Sequence, residues 1–308
     1  MPQVKFTKKD FDKFYPTNDS CLDKIFQLKY SNETKCQKCQ NKFSYYKLRN
    51  LKLYSCAFCG HNIAPTANTI FHKSPTPLKY WFYAIYLFSV SRNGVSAKEL
   101  QRQLGVTYKC AYRIGQQIRK LFDENIDPLS NIVEVDETYY GGTEYNKHAN
   151  KKTANIQGRS TKTKTPVLVA VETEGSIIAK VVCDTSISTI QPFIRKNITI
   201  TAEVKTDEYR SYSNLNKLGY NHDTVDHGRK QFVNGKTHTN NLEGFWSQLK
   251  RSIHGTYHFV SPKHLQAYIN EFSFRYNNRK AAIPIFISLI EKVALPLQEA
   301  PQKRLVKN

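Results

Sequence analysis

Ile132-Val-Glu-Val-Asp-Glu-Thr-Tyr-Tyr140 is the stretch on which the fold turns. Val133 and Val135 alternate with Glu134 and Asp136, the period of a strand with two unlike faces, and Gly141-Gly142 ends it. Working outward, residues 166–172 and 177–183 form two further β-rich runs separated by Glu174-Gly175, which predicts a three-stranded meander. Residues 184–196 read as a helix and 198–206 as a strand with Asp207 at its carboxyl end. Residues 242–253 read as a helix with Glu243 near its start.

Three strands, a helix, a fourth strand and a later helix, with acids on the first strand, the fourth strand and the late helix, is the order of an RNase H-like α/β domain: a mixed sheet flanked by helices. Gathered on one sheet, Asp136, Asp207 and Glu243 can hold two divalent metal ions about 4 Å apart, the arrangement that activates an attacking oxygen and stabilises a departing one at a phosphodiester. Hard cations such as Mg2+ or Mn2+ take oxygen ligands. Asp136 is expected to bridge both ions, with Asp207 and Glu243 completing one side each. Lys250 falls two helical turns after Glu243 on the same face, where it can hold a phosphate beside the metals. Each acid also has an ordinary use. Asp136 can be an exposed strand residue, Asp207 a helix cap, and Glu243 a carboxylate at the positive end of a helix dipole; it is their joint order that points to a site.

The composition narrows the partner. With 46 Lys plus Arg against 25 Asp plus Glu, the chain of 308 residues carries a formal charge of +21, which favours a polyanion such as nucleic acid over an acidic small molecule, although ribosomal and peripheral membrane proteins share such charge. No run of about 18 apolar residues occurs, so no membrane span is expected, and the first ten residues lack the apolar stretch of a secretory signal. A reducing compartment follows as the expectation.

Cysteine usage then becomes a metal question. Cys36, Cys39, Cys56 and Cys59 form Cys-x2-Cys-x16-Cys-x2-Cys, two knuckles suited to one tetrahedral, structural Zn2+ in a ribbon. Cys21, Cys110 and Cys183 read as small buried hydrophobes. After the ribbon, residues 78–88 form an apolar and aromatic helix opened by proline. Ser96 can cap a helix to Leu104 with Glu99 at the capping-box position, and Thr107 a second helix from Tyr108 to about Phe122. That pair is a helix-turn-helix candidate whose second helix offers Lys109, Arg113, Gln117, Arg119 and Lys120 to DNA. Residues 143–165, polar, basic and without periodicity, read as a long insertion in a hairpin. Trp246 with Phe245 and the run 272–276 read as core.

These residues carry a resemblance. Cys36-Gln-Lys-Cys39 with Cys56-Ala-Phe-Cys59, Val133-Glu-Val-Asp-Glu-Thr-Tyr139, Thr206-Asp-Glu-Tyr209, His238-Thr-Asn-Asn-Leu-Glu-Gly-Phe-Trp-Ser247, Gly255-Thr-Tyr-His258, Val260-Ser-Pro-Lys-His264 and Phe274-Arg-Tyr-Asn277 are similar to the IS1595-type, ISXO2-like insertion-sequence transposases and to the eukaryotic Merlin transposases. The resemblance spans about residues 10–280. It implies a DDE-type recombinase that binds terminal inverted repeats, hydrolyses a strand and directs the freed 3′ hydroxyl at a target. By motif match Asp136, Asp207 and Glu243 become metal ligands and Lys250 the accompanying basic residue. Because the family is described with Asn or Glu in the third place, Asn240 is a secondary candidate.

The expected organisation is 1–74 with the ribbon at 36–59, 75–125 as the helical DNA-binding region, 126–285 as the catalytic domain, and 286–308 as a tail. A homodimer or higher oligomer on DNA is implied, in the cytoplasm and nucleoid for a bacterial element or the nucleus for a eukaryotic one. Two alternatives stay open: a transposase-derived DNA-binding protein without catalysis, and an RNase H-like nuclease.

Overall fold

The computed structural model describes residues 5–141, 148–152, 160–161, 163–224, 233–234, 237–238 and 240–295. The chain divides into two compact units, one of residues 1–122 with 280–308 and one of 123–279.

In the first unit, helices α1 (Lys8–Phe14) and α2 (Asn18–Tyr30) each begin at a threonine whose side chain accepts the N3 amide. A small antiparallel sheet follows, β1 (Tyr45–Lys47), β2 (Tyr54–Cys56) and β3 (Asn62–Ile63), in the order β1-β2-β3. Too small to bury a core of its own, it is tied to α2 by Lys47 donating to Asp23 at 3.0 Å and by Phe26 stacked on Tyr54 at 4.0 Å. Helix α3 (Leu78–Val90) buries Leu78, Trp81, Phe82, Ala84, Ile85 and Phe88, as its apolar sequence predicts.

Helix α4 (Ala97–Leu104) is capped by Ser96, which accepts the Glu99 amide at 3.1 Å, and stops at Gly105, whose φ of 63° is the left-handed turn that glycine allows without strain. Helix α5 (Tyr108–Arg119) starts from Thr107 and runs on as a 3-10 turn at Lys120–Phe122. The capping box expected at Ser96 is only half formed. The Glu99 carboxylate turns to Arg102 and Gln103 instead, because a cation one turn along competes for it. A last helix, α9 (Ile285–Lys292), lies where a tail is expected; it buries Phe286, Leu289 and Ile290 and packs on α3.

The second unit is built on a five-stranded sheet in the order β6-β5-β4-β7-β8, with β4 (Ile132–Tyr140), β5 (Thr165–Glu172), β6 (Ile177–Val181), β7 (Glu203–Thr206) and β8 (Asn221–Thr224). The first three are an antiparallel meander, whereas β7 runs parallel to β4 and β8 parallel to β7. β5 is buried along both faces and is accordingly an almost unbroken apolar run. On one face Val133, Val135, Leu168, Ala170 and Val204 pack with Ile190 and Ile194 of α6 (Ile187–Asn197). On the other, Val167, Val169 and Val171 pack with Leu242, Phe245, Trp246 and Leu249 of α7 (Asn240–Ser252) and with Leu265, Ile269 and Phe272 of α8 (Pro262–Asn277). A short pair, β9 (Val233–Asn234) with β10 (Thr237–His238), precedes α7.

The expected strand over 198–206 shortens to β7: Ile198 makes an isolated parallel bridge with Leu129, and the chain turns at 200–202 before the ladder with β4 begins. The expected insertion at 143–165 lies largely outside the described residues. No helix among the described residues is long and apolar enough to cross a membrane.

Candidate active site and metal centre

Pairing of β4 with β7 positions the first two acids. Ile132 pairs with Glu203 and Glu134 with Lys205, so the same register carried two residues on sets Asp136 beside Asp207, just past the end of β7. Neighbouring strands lie about 4.8 Å apart, so this register sets the two residues side by side, Asp136 midway along β4 and Asp207 just past the carboxyl end of β7. Both are half-buried. Asp136 stands opposite Val169, whose side chain belongs to the face covered by α7 and α8. It is held there from two sides: Oδ1 accepts the Glu137 amide at 2.8 Å, and Oδ2 accepts Nε1 of Trp246 at 3.1 Å. Asp207 Oδ1 accepts the Tyr209 amide at 3.0 Å.

Helix α7 brings the third acid. Glu243, exposed in its first turn, lies three positions before Trp246, so the two share a helix face, and the Trp246 indole fastens that face over Asp136. Lys250 is exposed two turns further on. Asn240 opens α7, but its side chain lies outside the described residues. Among the described residues, the group of His, Cys, Asp and Glu whose ligand atoms all fall within 4.8 Å of one another is the four cysteines; Asp136, Asp207 and Glu243 are not gathered so closely.

The neighbouring acid Glu137 points to the opposite face. It is buried and accepts the Tyr212 hydroxyl at 2.9 Å. Burial drives the Tyr212 hydroxyl well above its ordinary pKa, the negative charge of Glu137 adds to this, and the charges of Asp136 and Asp207 reach it as well. Tyr212 is therefore a fixed neutral donor under the carboxylates. A chain of hydroxyls backs the Asp207 loop: Thr185 bonds Tyr139 at 2.8 Å and Tyr209 at 3.2 Å, while Ser211 donates to the Thr185 carbonyl. Beside it opens a recess of about 720 Å³ lined by Ser186, Ile187, Ser188, Tyr209, Arg210 and Ser211.

Trp246 is core, as its place beside Phe245 predicts, at 7 % exposure, yet its N–H also fixes a candidate ligand. Its spacing of three from Glu243 was the available signal.

The second metal centre is the cysteine cluster. Cys36 and Cys59 sulfurs lie 3.8 Å apart and those of Cys39 and Cys56 3.9 Å. A tetrahedron with zinc–sulfur bonds of about 2.3 Å has edges of about 3.8 Å, so the four thiols fit Zn2+. Two matching turns build it, with Gln40 N–H donating to the Cys36 carbonyl and Gly60 N–H to that of Cys56, both at 3.0 Å and both with positive φ. The Cys39 amide, with the Tyr45 hydroxyl at 3.1 Å, pulls the Cys36 thiol down to about 5, toward the thiolate that zinc requires.

Of the residues expected to face DNA on α5, Lys109, Arg113 and Lys120 are exposed and Gln117 is half-buried; Arg113 also donates to the His72 carbonyl at 3.3 Å. Arg119 is a correction. It is 4 % exposed, donates to the Val95 carbonyl at 3.1 Å and lies over the Phe88 ring, because the α5 face at 111, 114, 115, 118 and 119 is the one turned inward. Cys183 is likewise exposed rather than buried, past the end of β6, and Cys110 is half-buried, whereas Cys21 is fully buried with its thiol pushed up to about 12 by desolvation.

Comparison with known proteins agrees on the second unit. Residues 128–277 match the family model described as the ISXO2-like transposase domain. The chain is 28 % identical over 264 residues to a protein in transposable element ISH50 of Halobacterium salinarum, covering 82 % of this chain and 88 % of that one. It is 27 % identical over 106 residues to a transposase-like protein of Haemophilus influenzae, covering 34 % of this chain and 85 % of the relative.

Proposed function

We infer that this chain, whose residues 128–277 belong to the ISXO2-like transposase domain family, is a DDE-type DNA transposase that cuts strands at the ends of its own element and joins them to a target. The observation that carries this reading is the parallel register of β4 with β7, which carried two residues on sets Asp136 beside Asp207, with the Glu243 helix fastened to Asp136 by Trp246. The sheet order, a meander extended by two parallel strands, supports an RNase H-like catalytic domain.

Asp136, Asp207 and Glu243 would hold two Mg2+ or Mn2+, with Asn240 as the secondary candidate for the third place. Bound there, the ions supply Lewis acidity at the phosphodiester and lower the pKa of the attacking water or hydroxyl. The protein's own part is orientation. Trp246 and the Glu137 amide fix both oxygens of Asp136, the Tyr209 amide fixes Asp207, and Lys250 meets a phosphate of the strand to be cut.

The first unit supplies recognition. A Zn2+ on Cys36, Cys39, Cys56 and Cys59 folds the ribbon at 36–59, and the α4–α5 pair within 75–125 offers Lys109, Arg113, Gln117 and Lys120 to double-stranded DNA. Two element ends call for a homodimer or larger assembly. The test is incubation of the chain with DNA carrying both ends and Mg2+. A nick exposing a 3′ hydroxyl, followed by a joined product, is expected. Binding without nicking under any divalent ion would mark a non-catalytic DNA-binding protein, and equal cutting of unrelated DNA without joining would mark a nuclease.

A further inference from the structure

Helix α7 does not end where its hydrogen bonds would let it. It continues as a π-helical turn, Ile253–Tyr257, and closes at His258 with φ 60° and ψ −46°. The Phe259 amide donates to the Tyr257 carbonyl at 2.6 Å across His258, so the chain makes a γ-turn of the rare positive-φ kind. Histidine pays for such a backbone in strain, and strain of this sort persists only where the surroundings hold it. They do so here. Ile253 and Val260 are buried on either side of the turn, and the Tyr257 ring packs edge-on against Tyr268 at 4.7 Å. Its hydroxyl reaches Glu271 at 3.3 Å, and His258 Nδ1 lies 3.1 Å from the His254 carbonyl.

What this rigid turn presents is Phe259, at 69 % the most exposed of the large hydrophobic side chains among the described residues. The charges of this stretch are basic. From Gly244 to Asn270 there is no acidic residue, while Lys250, Arg251 and Lys263 are exposed. An exposed apolar ring on a stretch of chain whose formal charges are all basic suits a flat, negatively charged partner better than a protein face, which would leave those charges unmatched. Nucleobases are such partners: they stack on aromatic rings while neighbouring cations take the phosphates.

We propose that Phe259 is a stacking platform for an unpaired nucleobase of the DNA strand that runs along α7, with His258 setting its projection and Lys250, Arg251 and Lys263 holding the adjoining phosphates. The proposal rests on the reading of this chain as a DNA-strand-processing protein. A strand along α7 meets Glu243, Lys250 and then Phe259, so the ring holds open a nucleotide on the same strand that enters the carboxylate site. Stacking is indifferent to sequence, so the element's own ends are not needed to test it.

The experiment measures binding of the full chain, without divalent metal, to a duplex ending in a short single-stranded overhang and to the fully paired duplex. Phe259→Ala weakens binding to the overhang about tenfold and leaves the paired duplex within twofold, about the resolution of the assay. Phe259→Trp restores overhang binding, and its fluorescence is quenched by the overhang. Equal affinity of Phe259→Ala and wild type for both DNAs overturns the proposal, as does an equal loss on both. A change of oligomeric state in Phe259→Ala with DNA binding untouched overturns it in favour of a protein contact. Failure of the wild type to bind either DNA would instead strike the reading of the chain as a transposase.

Discussion

Asp136 is fastened by one neighbour that the core also needs. Trp246→Phe keeps the ring in its apolar bed but removes the N–H that Asp136 Oδ2 accepts, a hydrogen bond to a charged group worth about 1.5–3 kcal/mol. Cleavage by this variant is expected to require about tenfold more Mg2+ for half-maximal rate, with DNA binding unchanged; an unaltered Mg2+ requirement would leave Trp246 purely structural. At Arg119 and Lys109 two cations of one helix part ways. Arg119→Ala orphans the Val95 carbonyl and strips the Phe88 ring, and should lower the stability of the first unit by about 2 kcal/mol in denaturant titration. Lys109→Ala should leave stability alone and reduce the salt slope of DNA binding by about one. The elements that carry Asp136 and Glu243 were legible in the sequence, because alternation set Asp136 on a strand face and spacing set Glu243 in the first turn of a helix. Arg119 was not, since an arginine in the last turn of a helix reads as solvent-facing until the burial of Ala111, Ile114 and Ile118 shows which face is inward.

The same contrast runs through the elements. β4 was readable to the residue because its two faces differ in polarity, and α3 because its run from Tyr80 to Phe88 is apolar and aromatic throughout. β8, Asn-His-Asp-Thr, carries no apolar alternation and is a strand only because β7 offers it an edge. α9 hid in an apparent tail, since a helix of eight residues has too few turns to declare a period.

β8 nonetheless braces the end of β7 that leads to Asp207. His222 is 8 % exposed, with Nε2 lying 2.9 Å from Thr206 Oγ1, and burial holds its pKa below the ordinary 6.5. The folded chain thus prefers neutral imidazole. As pH falls through 6.5 the unfolded chain takes up a proton that the folded chain refuses, so this contribution is present above 6.5 and is lost progressively below it, down to the folded pKa. The thermal midpoint of the second unit should drop over that window, and His222→Gln should flatten the drop. In the ribbon, Cys36→Ser is expected to abolish binding of one equivalent of zinc and open residues 36–59 to proteolysis. Full zinc content in that variant would reject the four-thiolate centre.

Over the whole molecule, the charge of +21 lies mostly in the first unit, basic and acidic residues nearly balancing in the second, so DNA affinity should fall steeply with salt. Fold class followed from local patterns, while the register of the two strands that carry Asp136 and lead to Asp207 depends on a parallel pairing between residues 71 positions apart, such as Ile132 with Glu203, which no local period reveals. The central claim is that Asp136, Asp207 and Glu243 hold a pair of divalent ions for strand cleavage. The most direct measurement is a Mn2+ titration of the DNA-bound, zinc-loaded chain followed by electron paramagnetic resonance, the thiolate centre discriminating against so hard an ion. Two coupled Mn2+ per chain in the wild type, and at least about tenfold weaker binding in Asp136→Asn and in Asp207→Asn, is the predicted result. Identical Mn2+ binding by the wild type and both variants would contradict it.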